Sequence, residues 1–329
     1  MDTVTTPAPR RRFSALRTGL CLASLVALLS PVLHAADGWA SQNGGVTGGA
    51  GGSTVTVSTL AAFQSAATGT TARIINVSGT INLGSSNVDI GSNKTITGVG
   101  ANSGFIGNLR AKNQKNLILQ NLNFTNPNNV AEGDGLTLQF TTNYFITKCT
   151  FTQCGDGALD QTHACDYGTV SWCKFQYTSD TGHNFSNLIG HSDSNSSEDT
   201  GHLRITMHHN WYGTLVKERM PRVRFGKVHV YNNYYGSAGS NYNIGVGDKA
   251  QILVQNCYFD SQAMPWKNYS DSSNVGLIKW SGNYYVSTTE PTWAPNSSSV
   301  FTPPYSYTLT TASSVKSVVT NSSTGAGAH

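Results

Sequence analysis

The chain has 329 residues, of which 12% are charged, and its formal net charge is +4 at pH 7. A charged fraction this far below the usual value of about 25%, with abundant Gly, Ser, Thr and Asn, argues against a helical bundle and favours short strands joined by turns. The small net charge gives no support to nucleic-acid binding, because a general attraction for a polyanion requires a strong positive field.

Residues 1–35 have the pattern of a secretory signal peptide. Arg10–Arg12 precede an apolar run at Leu20–Leu33, and small residues follow at Ala35 and Ala36. The run is too short and mixed to span a bilayer easily, so we expect cleavage, secretion by the Sec or twin-arginine route, and no membrane attachment afterwards. Cleavage removes four arginines and one aspartate and leaves a formal charge of +1. Attraction for a polyanion must then come from a local basic patch.

Six segments further along share a pattern in which Cys or Asn stands two residues before an aromatic residue. The steps between the Cys or Asn positions are 24, 37, 23, 24 and 26 residues. A period near 24 is typical of a solenoid in which each coil buries its inner face against the next. We expect the aligned Asn side chains to form an amide ladder and the aromatic side chains to stack inside. The pattern positions are Cys149, Cys173, Asn210, Asn233, Cys257 and Asn283.

The single long step predicts a loop insertion at about residues 176–204, and long loops on a rigid scaffold often carry function. We expect one domain over residues 36–329. Its Ser/Thr-rich C-terminal tail should pack along the solenoid from about Ser298 and fray after Ser317. Five cysteines remain after residue 35, without the spacing of a zinc site, so we expect buried thiols with one or two disulfides.

Five motifs follow one another on this repeat: Asn93–Gly100, Val170–Trp172, Leu188–Asp193, His208–Trp211 and Arg219–Gly226. In this order they resemble the pectate lyase family of polysaccharide lyases. The resemblance implies an all-β fold, a right-handed single-stranded parallel β-helix. It also implies a secreted, calcium-dependent enzyme that cleaves (1→4)-α-D-galacturonan (pectate) by β-elimination to 4,5-unsaturated products, and we expect it to act as a monomer.

Carboxylates are scarce in this chain, yet four of them fall on successive coils: Glu132, Asp134, Asp156 and Asp160. A group of hard carboxylate oxygens suits Ca²⁺ and would repel itself without a cation. Since Asp134 and Asp156 are flanked by glycine, the alternative is that they only form turns. The resemblance makes Asp134, Asp156 and Asp160 calcium ligands, with Glu132 at a position where the family usually has Asp.

Basic residues concentrate around Pro221, where the alternative interpretation is a solvated charged surface. By resemblance, Arg219 is the Brønsted base that removes the C5 proton of a galacturonate, and Arg224 binds its carboxylate. Arg222 and Lys217 are further substrate-binding candidates. Because a guanidinium group is protonated at ordinary pH, we expect an alkaline optimum for the reaction.

One departure from the family concerns a substrate-binding lysine that lies three residues before the Leu of the Leu-Ile-Gly motif. Phe185 occupies that position here. The nearby His183 is therefore a candidate for the missing contact with substrate.

Three other functions remain open at this point. A calcium-independent pectin lyase would share the fold and the basic motif but would not need the acidic residues. A non-catalytic carbohydrate-binding β-helix would have no reason to combine Arg219 with an acidic cluster. A polygalacturonase would need a pair of catalytic carboxylates, for which no matching pattern is evident.

Overall fold

The computed structural model describes residues 1–6, 35–295 and 297–329. The predicted signal peptide falls almost entirely on residues 7–34, which lie outside the described residues. From Ser53 to Val286 the chain winds into a right-handed parallel β-helix of about ten coils, as predicted. Three sheets of ten, eight and nine strands form its faces. None of the helices among the described residues is long and apolar enough to span a membrane.

The ten-stranded sheet, called here the long sheet, contributes alternating apolar residues to the core. Tyr144 pairs with Leu117 and Ile146 with Leu119 in register, and all four side chains are fully buried. Inward positions therefore repeat every second residue, as the pleat of a strand requires. Its strands are Ser53–Val57, Arg73–Val77, Lys94–Gly98, Lys115–Gln120, Thr142–Thr147, Asp166–Ser171, Arg204–His208, Lys227–Tyr231, Gln251–Gln255 and Leu277–Ser281.

The eight-stranded sheet, called here the site sheet, has shorter strands. Asp160 lies on one of them and Arg222 on another. These strands are Val88–Asp89, Leu109–Lys112, Leu136–Gln139, Leu159–Thr162, Leu188–Ile189, Arg222–Val223, Ile244–Val246 and Trp266–Asn268.

The nine-stranded sheet, called here the aromatic sheet, carries the predicted column of stacked rings. Phe124, Phe151, Phe175 and Tyr212 follow one another with centroid distances of 4.8, 5.1 and 5.3 Å. The predicted aromatic stacking is thus confirmed. The strands are Thr80–Asn82, Gly104–Ile106, Asn123–Asn126, Thr150–Cys154, Lys174–Gln176, Trp211–Tyr212, Tyr234–Tyr235, Tyr258–Asp260 and Tyr284–Val286.

The helices lie outside the coils. Leu60–Ala67 is an α-helix whose Phe63 packs on Phe105 of the core, with ring centroids 4.8 Å apart, so it covers apolar surface near the first coils. The other helical segments are Ser196–Asp199 and Ala312–Val319, with 3₁₀ turns at Gly38–Ser41, Asp193–Asn195 and Ser297–Ser299.

The predicted amide ladder takes a different form. The side chain of Asn210 accepts a hydrogen bond from the amide of Cys173 at 2.9 Å and donates to the carbonyl of Val170 at 3.0 Å. Asn233 repeats the pattern by accepting from the amide of Asn210 at 2.7 Å. These side chains therefore form hydrogen bonds to the backbone of the preceding coil. Buried backbone N–H and C=O groups at a turn need such partners.

The expectation of disulfides is wrong for the five cysteines after residue 35, all of which are described. Each is a buried free thiol. Cys149, Cys173 and Cys257 occupy inward positions of the repeat, where a thiol packs as a small apolar side chain.

The predicted insertion at residues 176–204 is not a single loop. Leu188–Ile189 forms an ordinary strand of the site sheet within it. The extra residues are divided between two enlarged turns, 177–187 and 190–203, on either side of that strand.

The C-terminal tail packs along the solenoid, and residues after Ser317 take part in this packing. Val315 and Val319 are buried against the aromatic sheet beside Tyr234 and Tyr258. At the end of the tail, His329 exchanges backbone hydrogen bonds of 2.7 and 3.0 Å with the side chain of Asn121.

Candidate active site

The predicted site residues come together because they occupy the same turn of successive coils or lie within a few residues after it. In each coil this turn joins a strand of the aromatic sheet to the next strand of the site sheet. The four turns span residues 127–135, 155–158, 177–187 and 213–221. Stacked coils are about 4.8 Å apart, so side chains distant in sequence meet at one edge of the site sheet.

Three aspartates and one arginine line a single cleft of about 220 Å³: Asp134, Asp156, Asp160 and Arg219. We call it the acidic cleft. Asp134 and Asp160 are buried, whereas the side chain of Asp156 is half exposed. A Cβ atom built on Gly157 would lie 2.7 Å from an oxygen of Asp160 and 2.8 Å from an oxygen of Asp134. The glycine thus leaves room between two carboxylates of neighbouring coils.

The acidic cleft is electrostatically strained. Burial, and then the negative charge of Asp160, raises the pKa of Asp134 well above its usual range. Burial also raises the pKa of Asp160 to about 7, although the nearby Arg219 acts in the opposite direction. Asp134 and Asp160 are therefore held where burial disfavours their charged forms, and such perturbed groups cluster at functional sites.

Hydrogen bonds hold the two buried carboxylates in place. Asp134 accepts from the hydroxyl of Thr137 at 2.7 Å and from the amide of Gly157 at 3.0 Å. Asp160 accepts from the amide of Leu188 at 3.1 Å. The hydrogen bond from Thr137 was not predicted from the sequence. Its position three residues after Asp134 is the only indication of it there.

Glu132 lines the same cleft, but its carboxylate already has hydrogen-bond partners in the protein. Its Oε1 accepts from Nη1 of Arg110 at 3.2 Å and from Asn87 at 3.3 Å. Arg110 also pairs with Asp89 through two hydrogen bonds of 2.7 and 3.0 Å. Glu132 thus has one carboxylate oxygen in an ion pair, unlike the three aspartates.

Arg219 is held by its backbone and by an aromatic ring. It has a left-handed backbone conformation with φ of 60°, and its carbonyl accepts from the amide of Asn187 at 2.6 Å. The guanidinium carbon lies 4.2 Å from the ring centroid of Phe185. Among the described residues, its buried Nε has no hydrogen-bond partner. The ring under Arg219 was not foreseen from the sequence.

Two of the other predicted basic residues form ion pairs with acids of the enlarged turns. Lys217 lies 3.4 Å from Asp180, and Arg224 pairs with Asp193. Nη1 of Arg224 also donates to the carbonyls of Gly190 and His191 at 3.1 and 3.3 Å. Both residues therefore have protein partners of their own.

His183 lies at the mouth of the acidic cleft, with its side chain 62% exposed. Its Nδ1 is 3.3 Å from a carboxylate oxygen of Asp156. With Asp156 and Glu132 it also lines an adjoining open cleft of about 530 Å³. It is therefore well placed to meet a ligand that extends past Asp156.

Comparison with known proteins decides the family. A family model described as pectate lyase matches residues 14–329. The chain belongs to the pectate lyase family. Pectate lyase A of Aspergillus niger is 37% identical over 298 residues, which cover 88% of this chain and 87% of that protein. Pectate lyase E of Dickeya chrysanthemi is 37% identical over 276 residues, covering 68% and 70%.

Solved structures of the family agree with this fold. The crystal structure of a pectate lyase from Bacillus sp. N165 in complex with trigalacturonate has a TM-score of 0.74 and 30% identity. It covers 89% of this chain and 99% of the other. A pectate lyase bound to a hexasaccharide has a TM-score of 0.74 and 27% identity, covering 89% and 96%. The predicted family and its enzyme class, polysaccharide lyase, are confirmed.

Proposed function

We propose that the protein is a secreted, monomeric, calcium-dependent pectate lyase that uses Arg219 as its base. The observation that carries the proposal is the acidic cleft, where three aspartates from two successive coils meet an arginine whose buried Nε has no hydrogen-bond partner among the described residues. The solved relative with trigalacturonate bound supports polygalacturonate as the substrate. A pectin lyase acting without calcium would have no use for the strained carboxylates.

The residues present fit Ca²⁺ in their chemistry. Within the described ranges, no three acidic, histidine or cysteine side chains form a ready metal-ligand set. Burial raises the pKa values of Asp134 and Asp160, so a bound cation would favour the ionised form of both groups. The space over Gly157 lies between their oxygens. We propose Asp134, Asp156 and Asp160 as ligands, with Glu132 assisting through its remaining oxygen.

The cation and the arginine have different tasks. When bound, Ca²⁺ supplies positive charge that neutralises the uronate carboxylate and makes the adjacent C5 proton more acidic. Once its guanidinium has lost a proton to solvent at alkaline pH, Arg219 takes the C5 proton, the C5–H electrons form the C4–C5 double bond, and the bond from C4 to the glycosidic oxygen breaks. The leaving oxygen then takes a proton from water. Since water does not attack carbon, this route needs no pair of hydrolytic carboxylates.

The neighbouring basic residues orient the polymer. We propose that Arg224, held by Asp193 and two carbonyls, presents its remaining Nη2 edge to a uronate carboxylate. Lys217, Arg222 and His183 are proposed as further contacts with the polymer. Fixed donors of this kind cost no reorganisation during the reaction.

The decisive experiment follows the ultraviolet absorbance of the unsaturated product on unesterified polygalacturonate. We expect product formation with Ca²⁺, loss of the signal with a chelator, and recovery when Ca²⁺ is restored in excess. Signal that persists in chelator would favour a pectin lyase instead. Polymer binding without product would favour a non-catalytic carbohydrate-binding protein.

Phe185 should position the guanidinium of Arg219 during this reaction. Since the buried Nε lacks a partner, the ring is the main contact that orients the group. We expect Phe185→Leu to lower kcat about two- to fivefold, the value of one cation–π contact, with little change in KM. Phe185→Tyr keeps the ring and should retain the wild-type kcat. Equal kcat values for the Leu and Tyr variants would contradict this role.

A further inference from the structure

The enlarged turn 190–203 is attached to the preceding coil through two acidic side chains. Nδ1 of His163 donates to Oε1 of Glu198 at 2.7 Å, because an ionised carboxylate can only accept. Asp199 accepts a hydrogen bond from the amide of Ala164, also at 2.7 Å. The helix that carries both acids has a single turn, which is too short to be stable alone. Its position therefore depends on these contacts with the preceding coil.

The ring of His163 lies in the middle of a column of three rings from successive coils. Its centroid is 5.2 Å from that of Phe140 and 4.8 Å from that of His191, with interplanar angles of 24° and 25°. His191 is the second residue of the enlarged turn 190–203, and it lines the acidic cleft. The position of the His163 ring therefore limits where the beginning of this turn can lie.

The beginning of the same turn holds the guanidinium group of Arg224. Nη1 donates to the carbonyls of Gly190 and His191 at 3.1 and 3.3 Å, and Nε pairs with Asp193. The turn and the arginine are also in close contact. A Cβ atom built on Gly190 would lie 2.9 Å from the carbonyl oxygen of Arg224 and 3.0 Å from its Cβ. Because three groups of the turn set the direction of the guanidinium, a shift of the turn would move it.

We propose that the hydrogen bond between His163 and Glu198 positions Arg224 for substrate binding. His163 holds His191 by stacking, Glu198 holds the helix of the turn, and the turn holds the guanidinium. His163 and Glu198 are thus positioning residues that act through Arg224. This inference rests on the proposed function, in which Arg224 binds a uronate carboxylate. A misplaced guanidinium weakens binding, so the loss should raise KM and leave kcat unchanged.

The test compares two replacements of Glu198. We expect Glu198→Ala to raise KM for polygalacturonate about two- to tenfold, the value of one hydrogen bond. Glu198→Gln keeps a carbonyl oxygen that can accept from His163, and it should retain the wild-type KM. His202→Ala is the matched control, because it removes another contact between a histidine and an acid from the same turn, at 3.5 Å from Asp166. We expect the wild-type KM for this control.

The Arg224→Gln background separates positioning from a general effect on the fold. If Glu198 acts through Arg224, adding Glu198→Ala to Arg224→Gln should raise KM by less than twofold, because the two changes remove the same contact with substrate. An increase in KM as large as in the wild-type background would overturn the proposal. Thermal unfolding should show that every variant is folded at the temperature of the assay.

Retardation of the folded proteins in gels containing polygalacturonate gives a readout that does not depend on turnover. We expect weaker retardation for Glu198→Ala than for Glu198→Gln, and no such difference when Arg224→Gln is also present. Equal KM and equal retardation for the two Glu198 variants would overturn the positioning role. If the wild type forms no unsaturated product but the difference in retardation is found, the proposed reaction fails while the positioning of Arg224 stands.

Discussion

Arg219→Lys should lower kcat on polygalacturonate by at least about 100-fold, which is the usual contribution of a general base. Lysine keeps a positive charge but loses the planar guanidinium that stacks on Phe185. If Arg219 only neutralised the substrate carboxylate, the lysine variant would keep most of its activity. The measurement therefore separates proton removal from simple charge neutralisation. A residual rate within a few-fold of wild type would contradict the assignment of Arg219 as the base.

Arg204→Lys is the matched control. Arg204 also stacks on an aromatic ring, with its guanidinium carbon 4.2 Å from the centroid of Tyr167, and it pairs with Asp166. It lies on the long sheet, away from the acidic cleft. We expect Arg204→Lys to retain wild-type kcat and KM. Thermal unfolding of both variants should confirm that any loss of rate is not a loss of fold.

Asp160→Asn should inactivate the enzyme and at the same time stabilise its calcium-free form. The carboxyl of Asp160 is buried among other acids, and its raised pKa shows that its charge is unfavourable there. The asparagine keeps an oxygen that can accept from the amide of Leu188. In chelator we expect the free energy of unfolding to rise by about 1–3 kcal/mol, as for other strained functional sites. Added Ca²⁺ should raise the melting temperature of the wild type more than that of the variant.

The stability difference should depend on pH in a defined direction. In the folded calcium-free protein the pKa of Asp160 is raised to about 7 from its ordinary value of 3.8. Stability from the bound proton is therefore complete below about pH 4 and is lost as the pH rises through 7. The advantage of Asp160→Asn in chelator should accordingly be small at pH 4 and largest above pH 7.

Asp260→Asn provides the contrasting control for charge removal. Asp260 forms an ion pair with Lys316 at 2.7 Å, and the hydrogen bond from that lysine lowers its pKa. Its replacement should leave activity unchanged and should not stabilise the protein. Stabilisation by Asp260→Asn equal to that by Asp160→Asn would show that the acidic cleft carries no particular strain.

Much of the fold could be predicted because a solenoid repeats its local pattern. The spacing of Cys173, Asn210 and Asn233 with the aromatic residues two places later fixed the period and the stacked core. The same period placed Asp134 and Asp160 on neighbouring coils, and the structure brings them into one cleft. The family resemblance then added the chemistry.

The ion pairs and stacking contacts that were not predicted depend on the conformations of the turns. The pairing of Arg224 with Asp193, and of Lys217 with Asp180, joins residues about thirty to forty positions apart through the enlarged turns. No periodic pattern specifies such partners. The stacking of Arg219 on Phe185 has the same origin, since both lie in turns that belong to successive coils.

The location of the site residues in one class of turn, or just after it, has a further consequence. The hydrogen-bond ladder of the sheets sets the distance between coils, whereas the turns project from it and can change length without altering that distance, as the turn 177–187 shows. The sheets thus hold successive turns at a constant spacing of about 4.8 Å. A polymer of identical sugars is also periodic. A change in one turn can therefore add a contact with the polymer without displacing the contacts that other turns make.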